Sequence, residues 1–320
     1  MWAGYKNLSY IDTMGSPISA LTQIGDLAWS SYDTGIIRTL KNVSKAVRGK
    51  SRITKEDVGI ERMAQEFADS GSLASAVNKV FTLVGLDKID SIGKEALLNG
   101  AFDKYQNQAK KNPEKLKREI RRIFGKETDQ VVKDFAEGTV NDNTKLLVYS
   151  RLLDFQPVSK SEMTQGYLTA GNGRLFYMLK TFTLKQFDAF RNEAYNKIKN
   201  GDRMEKIQGI KNLVHLAMFF VLANATADEL KDWVLGRETS FKDRTVDNAL
   251  RLLGVSKFIT WEARKEGIGT AMGKQILPPF KFINNLYKDL TKDNVKVPKT
   301  IESVPVVGKI AYWHMKENVD

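Results

Sequence analysis

The sequence contains no cysteine and only two histidines among its 320 residues, His215 and His314. The absence of cysteine excludes disulfides, thiolate nucleophiles, iron–sulfur clusters and zinc sites built on thiolates. The shortage of histidine leaves His-rich metal sites and Ser–His–Asp triads poorly supplied. The acidic residues are scattered, and no glycine-rich phosphate loop is present. We therefore expect a non-enzymatic protein with no catalytic residue, metal site or cofactor.

Long hydrophobic runs are also lacking. No stretch reaches the roughly 18–20 apolar residues of a membrane-spanning helix, and MWAGYKNLSY has no signal-peptide architecture. The sequence thus predicts a chain that is soluble when made. The most apolar segment, 213–223, has His215 as its only polar residue, which predicts a central bundle helix or a helix that meets lipid in a second state. The residues assigned to this core or lipid-facing helix are Leu213, Leu216, Phe219, Phe220 and Leu222.

Positive charge is abundant, with 50 Lys and Arg against 38 Asp and Glu, a net charge of +12. Such an excess favours anionic partners such as nucleic acid, phospholipid head groups or acidic proteins, although a generically basic surface gives the same count. The densest basic run, 110–126, holds eight cations and two acids. We predict phosphate or anion binding by Lys111, Lys115, Arg118, Arg121 and Arg122 in this run, and by Lys41, Lys45 and Arg48 in a second basic segment.

The first of these basic runs predicts a helix with a charged stripe. Asn112 is a candidate N-cap, Pro113 suits the first helical position, and Gly125 is a candidate C-cap. Helical spacing aligns Lys111 with three cations of the run, Lys115, Arg118 and Arg122. The alternative is a helix face that is merely solvated.

Apolar residues recur three and four positions apart over nearly the whole chain, which indicates helices rather than strands. We predict an all-α fold, an elongated multi-helix bundle with two helical subdomains. The expected domains are an N-terminal helical region with basic helices (1–156), a polar linker loop (157–173) and a C-terminal helical module (174–320). One predicted helix, ITKEDVGIERMAQEF, starts at Thr54 with Asp57 three residues on, a capping-box variant.

The segment GRLFYMLKTFTLKQFDAFRNEAYNKI (173–198) is rich in both aromatic and charged residues. Stacking on nucleic acid requires aromatics exposed beside the cations. Here most aromatics fall on one apolar stripe, so a core helix is the favoured interpretation, with partner contact or base stacking as alternatives. The predicted helix-packing face is Leu175, Leu179, Phe182, Phe187 and Phe190.

Several of these strings occur in the same order in one known family. They include GRLFYMLKTFTLKQFDAFR, NLVHLAMFFVLANATADELKDWVLGR, ILPPFKFINNLYKDL and SVPVVGKIAYWHM, and towards the N-terminus SPISALTQIGDLAWS and GLDKIDSIGKEALLN. The chain resembles the C-terminal helical region of the large polyvalent, internal virion proteins of tailed bacteriophages, from about Ser16 to Trp313. Those giant chains carry transglycosylase or polymerase regions elsewhere, and no motif of either enzyme is visible here.

The resemblance implies an internal virion protein that takes part in DNA ejection. Such a protein is packaged inside the capsid and delivered into the host cell envelope on infection. The implied partners are further copies of the chain or other internal virion, portal and ejection proteins, with packaged DNA and the host membrane as candidates. Two alternatives stay open: a helical scaffold or interaction module of a larger virion enzyme, and a sequence-independent DNA-binding virion protein.

Overall fold

The computed structural model describes residues 10–12, 14–21, 27–60, 72–156, 189–234, 281–291 and 295–317, with backbone alone at 21, 72–74, 217, 219–231, 233–234, 281–284 and 317. These ranges contain twelve α-helices and no β-strand. The prediction of an all-α fold is therefore confirmed.

Eight of the helices lie before residue 157: α1 (Pro17–Leu21), α2 (Leu27–Thr34), α3 (Ile36–Val47), α4 (Ser72–Leu83), α5 (Leu86–Lys111), α6 (Pro113–Phe124), α7 (Thr128–Glu137) and α8 (Asp142–Phe155). The other four are α9 (Asn196–Asn200), α10 (Arg203–Val234), α11 (Lys281–Thr291) and α12 (Gly308–Glu317). Short 3₁₀ turns occupy Glu56–Val58, Gly125–Glu127 and Lys299–Ser303, and a π-helical turn, Arg191–Tyr195, leads directly into α9.

Helix α6 begins and ends where its local sequence signals predict. The Asn112 side chain accepts a hydrogen bond from the backbone N–H of Lys115 at 3.2 Å. Pro113 occupies the first helical position, where its missing N–H costs nothing. Gly125 follows the last helical residue with φ +52, a value that favours glycine. Gly85 likewise separates two helices, since α4 ends at Leu83, α5 begins at Leu86, and Gly85 has a left-handed φ of +76.

The helix predicted from Thr54 onward is wrong over the described residues. Thr54 and Asp57 do form the expected reciprocal cap, with the Thr54 N–H donating to Asp57 at 2.9 Å and the Asp57 N–H donating to Thr54 at 3.3 Å. Only one 3₁₀ turn follows, Glu56–Val58, because Gly59 adopts a left-handed conformation with φ +80. The rest of that predicted helix, from 61 on, lies outside the described residues.

The chain divides into two compact helical units. Unit two comprises the described residues within Leu27–Glu61 and Ser91–Gln156, and unit one comprises the others. The unit limit between 90 and 91 falls inside α5. The domain limits predicted from the sequence stay a prediction, and the predicted linker, 157–173, lies outside the described residues.

The core of unit one forms around helices α1 and α4. Its buried residues are Tyr10, Ala20, Val77, Phe81, Val84 and Leu86. Gly15 lets the chain pass close to this cluster, because a Cβ there would lie 2.9 Å from a methyl group of Val80. The Gly15 carbonyl accepts a hydrogen bond from the backbone N–H of Val306 at 2.6 Å, which ties the segment before α12 to the same core.

The core of unit two is built on aromatic side chains. Trp29 stacks on Phe155, with ring centroids 5.3 Å apart, and joins α2 to α8. Phe102 packs against Phe135 at 5.1 Å and joins α5 to α7. All four rings are buried, and such pairs stabilise a core beyond their buried area. Unit two therefore provides a packed base for the two basic helices, α3 and α6.

Candidate functional site

The best-defined candidate site is the exposed face of helix α6. Leu116 and Ile120 lie one turn apart and are both buried, which fixes the inward face of the helix. Lys115, Arg118 and Arg122 fall on the opposite side of the helical wheel. The helix is therefore docked by its aliphatic residues, and its cations point to solvent.

The cations of α6 differ in how far nearby acids neutralise them. Lys117 forms ion pairs with Glu114 at 3.0 Å and with Asp129 at 2.9 Å. Hydrogen bonds to Asp129 and Glu114 raise the pKa of Lys117 and hold it in place. Lys115 lies 3.9 Å from Glu119, an exposed pair of the kind that contributes little.

Three of the predicted anion-binding residues keep their full charge available. Lys111, Arg121 and Arg122 are exposed, and none of the acids in the described part of the chain forms an ion pair with them. Arg118 is also exposed, and among the described residues it donates only to the backbone carbonyl of Glu114, at 3.4 Å. An anion can therefore approach these side chains without first displacing a carboxylate.

Lys111 does not continue the stripe of α6. It is the last residue of α5, and Asn112 separates it from α6 with an extended φ of −150. The helical spacing that aligned Lys111 with Lys115 assumed one uninterrupted helix. Lys111 lies beside the start of α6, and the stripe itself consists of Lys115, Arg118 and Arg122.

The second predicted basic group lies on helix α3 and just after it. Lys41 and Arg48 are exposed, and Lys45 is half-buried. Beyond the helix, the Arg52 guanidinium stacks over the Phe102 ring at 4.7 Å from its centroid. The side chains of Lys41 and Arg48 extend from a helix whose aliphatic residues are themselves exposed, which sets this group apart from α6.

The predicted core or lipid-facing residues lie on α10, a helix of 32 residues. Leu216 is buried and Leu213 is half-buried. The side chains of Phe219, Phe220 and Leu222 lie outside the described part of the structure. No helix in the described ranges has the length and apolar character needed to cross a membrane.

Sequence periodicity missed an apolar stripe at the start of α10. Its members are exposed and spaced three or four residues apart: Met204, Ile207, Ile210, Val214 and Met218. The helix packs on α9 by its other side, where Gly209 approaches so closely that a Cβ would lie 2.8 Å from Ile198. The spacing is present in the sequence, but the charged and amide residues between its members make the segment 203–212 polar on average.

The predicted packing face in 173–198 is described only at its end. Phe190 is half-buried and immediately precedes the π-helical turn. Leu175, Leu179, Phe182 and Phe187 lie outside the described residues. Within the described part, Ala194 is fully buried against α10, and the packing face itself stays a prediction.

A buried carboxylate in unit two had no local sequence signal. Asp33 accepts hydrogen bonds from Lys104 at 2.8 Å and from Arg151 at 2.8 Å, residues far away in sequence. Burial opposes its charge, but Arg151 and Lys104 together outweigh that effect and lower the pKa of Asp33. This ion pair network anchors the end of α2, directly before α3, on helices α5 and α8.

Asn99 is a second anchor that the sequence did not reveal. Its side chain oxygen accepts hydrogen bonds from the backbone N–H groups of Arg52 and Ile53, each at 3.0 Å. Its amide nitrogen donates to the carbonyl of Ile53 at 2.7 Å. These bonds fasten the segment after α3 to α5. In the described part of the chain, no group of three or more His, Asp and Glu side chains could hold a metal ion.

The chain has no match among protein-family models, curated proteins or solved structures. The likeness to phage internal virion proteins consequently depends on the sequence strings given above, and the family stays a prediction.

Proposed function

We propose that this chain is a non-enzymatic internal virion protein of a tailed bacteriophage and takes part in genome ejection. In this role α6 contacts the phosphate backbone of DNA without reading its sequence. The observation that supports this best is the exposed row of cations on α6, where Arg118, Arg121 and Arg122 have no carboxylate partner among the described residues. Cations in such a row neutralise successive phosphates and release counterions.

Binding of the full chain to mixed-sequence duplex DNA, measured across a salt series, tests the phosphate contact. Each phosphate contact contributes a slope of about −0.9 to the dependence of log affinity on log salt. The triple variant Arg118→Gln, Arg121→Gln, Arg122→Gln should weaken binding equally for unrelated sequences and flatten the slope by about two to three. An affinity that does not vary with salt would overturn the proposal.

Lys117 offers a matched control within the same helix. Lys117→Gln also removes one positive charge, but that charge is already paired with Glu114 and Asp129. The salt slope should therefore change by much less than the roughly one unit expected for a cation that contacts a phosphate. If Lys117→Gln flattened the slope as much as Arg122→Gln, general charge and not the α6 face would account for binding.

The virion role requires its own measurement. Quantitative mass spectrometry of purified particles, before and after triggered ejection, should find the chain inside full capsids and absent from emptied ones. A chain absent from full particles, or retained after ejection, would overturn the ejection role. That result would leave the DNA contact of α6 to be judged by its own salt series.

A scaffold role is the second candidate, and one observation favours it. The exposed apolar stripe on α10 places five large side chains on one face, and helix partners recognise such stripes at this spacing. Ile207→Asp together with Val214→Asp should convert an assembled species into a monomer in analytical ultracentrifugation. An unchanged sedimentation profile would remove α10 as an assembly face.

A further inference from the structure

Helix α3 exposes the side of its surface that amphipathic helices normally bury. Ile37 is 84% exposed and Leu40 61%, and Ile36 and Val47 are exposed as well. On the helical wheel Ile36, Leu40 and Val47 lie within about 40° of one another, so they form one strip along the helix. An aliphatic strip that faces solvent indicates a partner surface.

The inward side of α3 is polar, and hydrogen bonds hold it in place. Thr39 and Asn42 are each only 1% exposed. The Thr39 hydroxyl lies 3.1 Å from that of Ser30 and 3.2 Å from that of Thr34. The Asn42 amide donates to Asp103 at 3.1 Å. Since buried polar groups must keep their partners, these bonds oppose a rotation that would bring the aliphatic strip inward.

Close packing fixes the start of α3 in the same orientation. Gly35 precedes the helix with φ +91, a conformation that favours glycine. Gly100 of α5 meets Thr34 so closely that a Cβ there would lie 2.8 Å from its hydroxyl oxygen. The exposed strip is therefore a property of the folded unit and not of a frayed helix.

A basic edge borders the aliphatic strip. Lys41 and Arg48 are exposed and follow Ile37 around the helical wheel. Residues 35–55 contain seven Lys and Arg and no Asp or Glu. The surface of α3 thus combines an apolar strip with a row of cations that no acid of its own segment neutralises.

This combination selects one kind of partner. DNA would engage the cations and leave Leu40 and its neighbours in water. A second copy of α3 would cover the aliphatic strip but bring two basic edges together, which costs energy. An anionic bilayer surface accepts both parts at once, because the aliphatic side chains enter the acyl boundary while the cations meet the head groups.

We propose that α3 docks on the surface of an anionic phospholipid membrane and lies in the plane of the head groups. Ile37 and Leu40 enter the acyl boundary, and Lys41 and Arg48 contact lipid phosphates. Because α3 lies parallel to the surface, the interaction does not require a spanning helix. The inference does not depend on the DNA contact of α6 or on the proposed role in ejection.

Flotation of the full chain with vesicles tests this docking. The chain should bind vesicles of phosphatidylcholine mixed with phosphatidylglycerol, and bind phosphatidylcholine alone far more weakly. Ile37→Ser with Leu40→Ser should lower the partition coefficient at least about tenfold, because two aliphatic side chains no longer leave water. Both positions are exposed, so the fold should persist, and circular dichroism checks that it does.

Control variants on other helices test whether membrane binding depends on α3 itself or on exposed aliphatic side chains and positive charge in general. Ile123→Ser with Leu146→Ser removes two exposed aliphatic side chains from other helices of the same unit and should leave the partition coefficient within about twofold. Lys41→Gln with Arg48→Gln should weaken binding to the anionic vesicles roughly tenfold. Arg121→Gln with Arg122→Gln removes the same charge from α6 and should have a clearly smaller effect.

The absence of cysteine permits a direct measurement of insertion. An environment-sensitive fluorophore on a cysteine introduced by Leu40→Cys should shift to the blue when anionic vesicles are added, while one introduced by Lys126→Cys should not. Equal binding to neutral vesicles, equal losses from the α3 and α6 charge pairs, or no spectral shift would each overturn the proposal. A lipid-free dimer that Ile37→Ser with Leu40→Ser dissociates, with no vesicle binding, would instead identify a second copy as the partner.

Discussion

Helices α3 and α6 are each twelve residues long and lie in the same unit, with several cations on their exposed surfaces. Helix α6 buries Leu116 and Ile120 and turns its charged residues outward. Helix α3 buries Thr39 and Asn42 and turns its aliphatic residues outward. The same amphipathic pattern thus produces opposite orientations, because the surface that receives each helix differs.

The receiving surface decides which face is stable inside. At α3 the adjacent side chains include the Ser30 and Thr34 hydroxyls and the Asp103 carboxylate, which an aliphatic face would leave unpaired. A lost partner for a buried polar group costs about 1–3 kcal/mol, comparable to burying an aliphatic side chain. An exposed apolar face on α3 is therefore compatible with a stable unit, and it is available for a partner.

The largest difference should come from the same leucine truncation in the two helices. Leu116→Ala removes a fully buried side chain from α6 and should lower the free energy of unfolding by about 2–5 kcal/mol. Leu40→Ala removes an exposed side chain from α3 and should change it by less than about 0.5 kcal/mol. Urea unfolding, with amide hydrogen exchange across α5–α8 as the local readout, measures both. Equal losses would mean that α3 buries its aliphatic face after all.

The next largest change in stability should come from Asp33, the buried carboxylate that anchors the end of α2 directly before α3. Asp33→Asn keeps the shape of a buried side chain but removes the charge that binds Lys104 and Arg151. We expect the free energy of unfolding to fall by about 2–3 kcal/mol. The loss should not be larger, because the two cations are partly solvated and regain water. Asp129→Asn breaks the exposed pair with Lys117 beside α6, and it should cost less than about 1 kcal/mol. Similar losses at the two positions would contradict this account.

The stability that Asp33 contributes should depend on pH. Because its folded pKa lies below the value of about 3.9 in an unfolded chain, Asp33 stabilises unit two fully at pH values above about 4. That contribution is lost as the pH falls through the folded pKa. The gap in unfolding free energy between wild type and Asp33→Asn should accordingly narrow in acid, and urea titrations at neutral and acid pH measure it. A gap that is constant over this range would exclude Asp33 ionisation as its source.

A smaller loss of stability should follow from removing the Asn42 amide, which holds the inward face of α3. Asn42→Ala removes the donor to Asp103 and to the carbonyl of Arg38, and should lower the free energy of unfolding by about 1–2 kcal/mol. Asn143 donates its amide to the exposed Glu127, and Asn143→Ala should change the free energy of unfolding by less than about 0.5 kcal/mol. No difference between the two variants would show that polar contacts do not hold α3.

Local chemistry predicted much of this fold. Asn112, Pro113 and Gly125 act through neighbours within four residues, and the bounds of α6 follow from them. The all-α class follows from spacing along single helices. The predicted helix beyond Thr54 fails within the described residues because Gly59 takes a left-handed conformation, which the capping pattern does not encode.

The orientation of α3 and the anchors around it could not be predicted in the same way. Asp33 meets Lys104 and Arg151, and Asn99 meets the backbone at Ile53, across 46 to 118 residues of sequence. A single sequence carries no signal for such pairs. The sequence alone identifies the cations of α6, but only the structure distinguishes Lys117, which two acids hold, from Arg121 and Arg122.

The smallest expected effect concerns how each helix begins. Asn112 caps α6 with its side chain, whereas Gly35 precedes α3 and makes no side-chain cap. Asn112→Ala should lower the free energy of unfolding by about 1 kcal/mol, and Asn112→Asp should keep most of the stability because a carboxylate also accepts the Lys115 N–H. Amide exchange in the first turn of α6 should accelerate in the alanine variant alone, while exchange in α3 stays unchanged. If neither variant accelerated it, the cap would contribute nothing, and α6 would be held, like α3, only by the surface that it packs against.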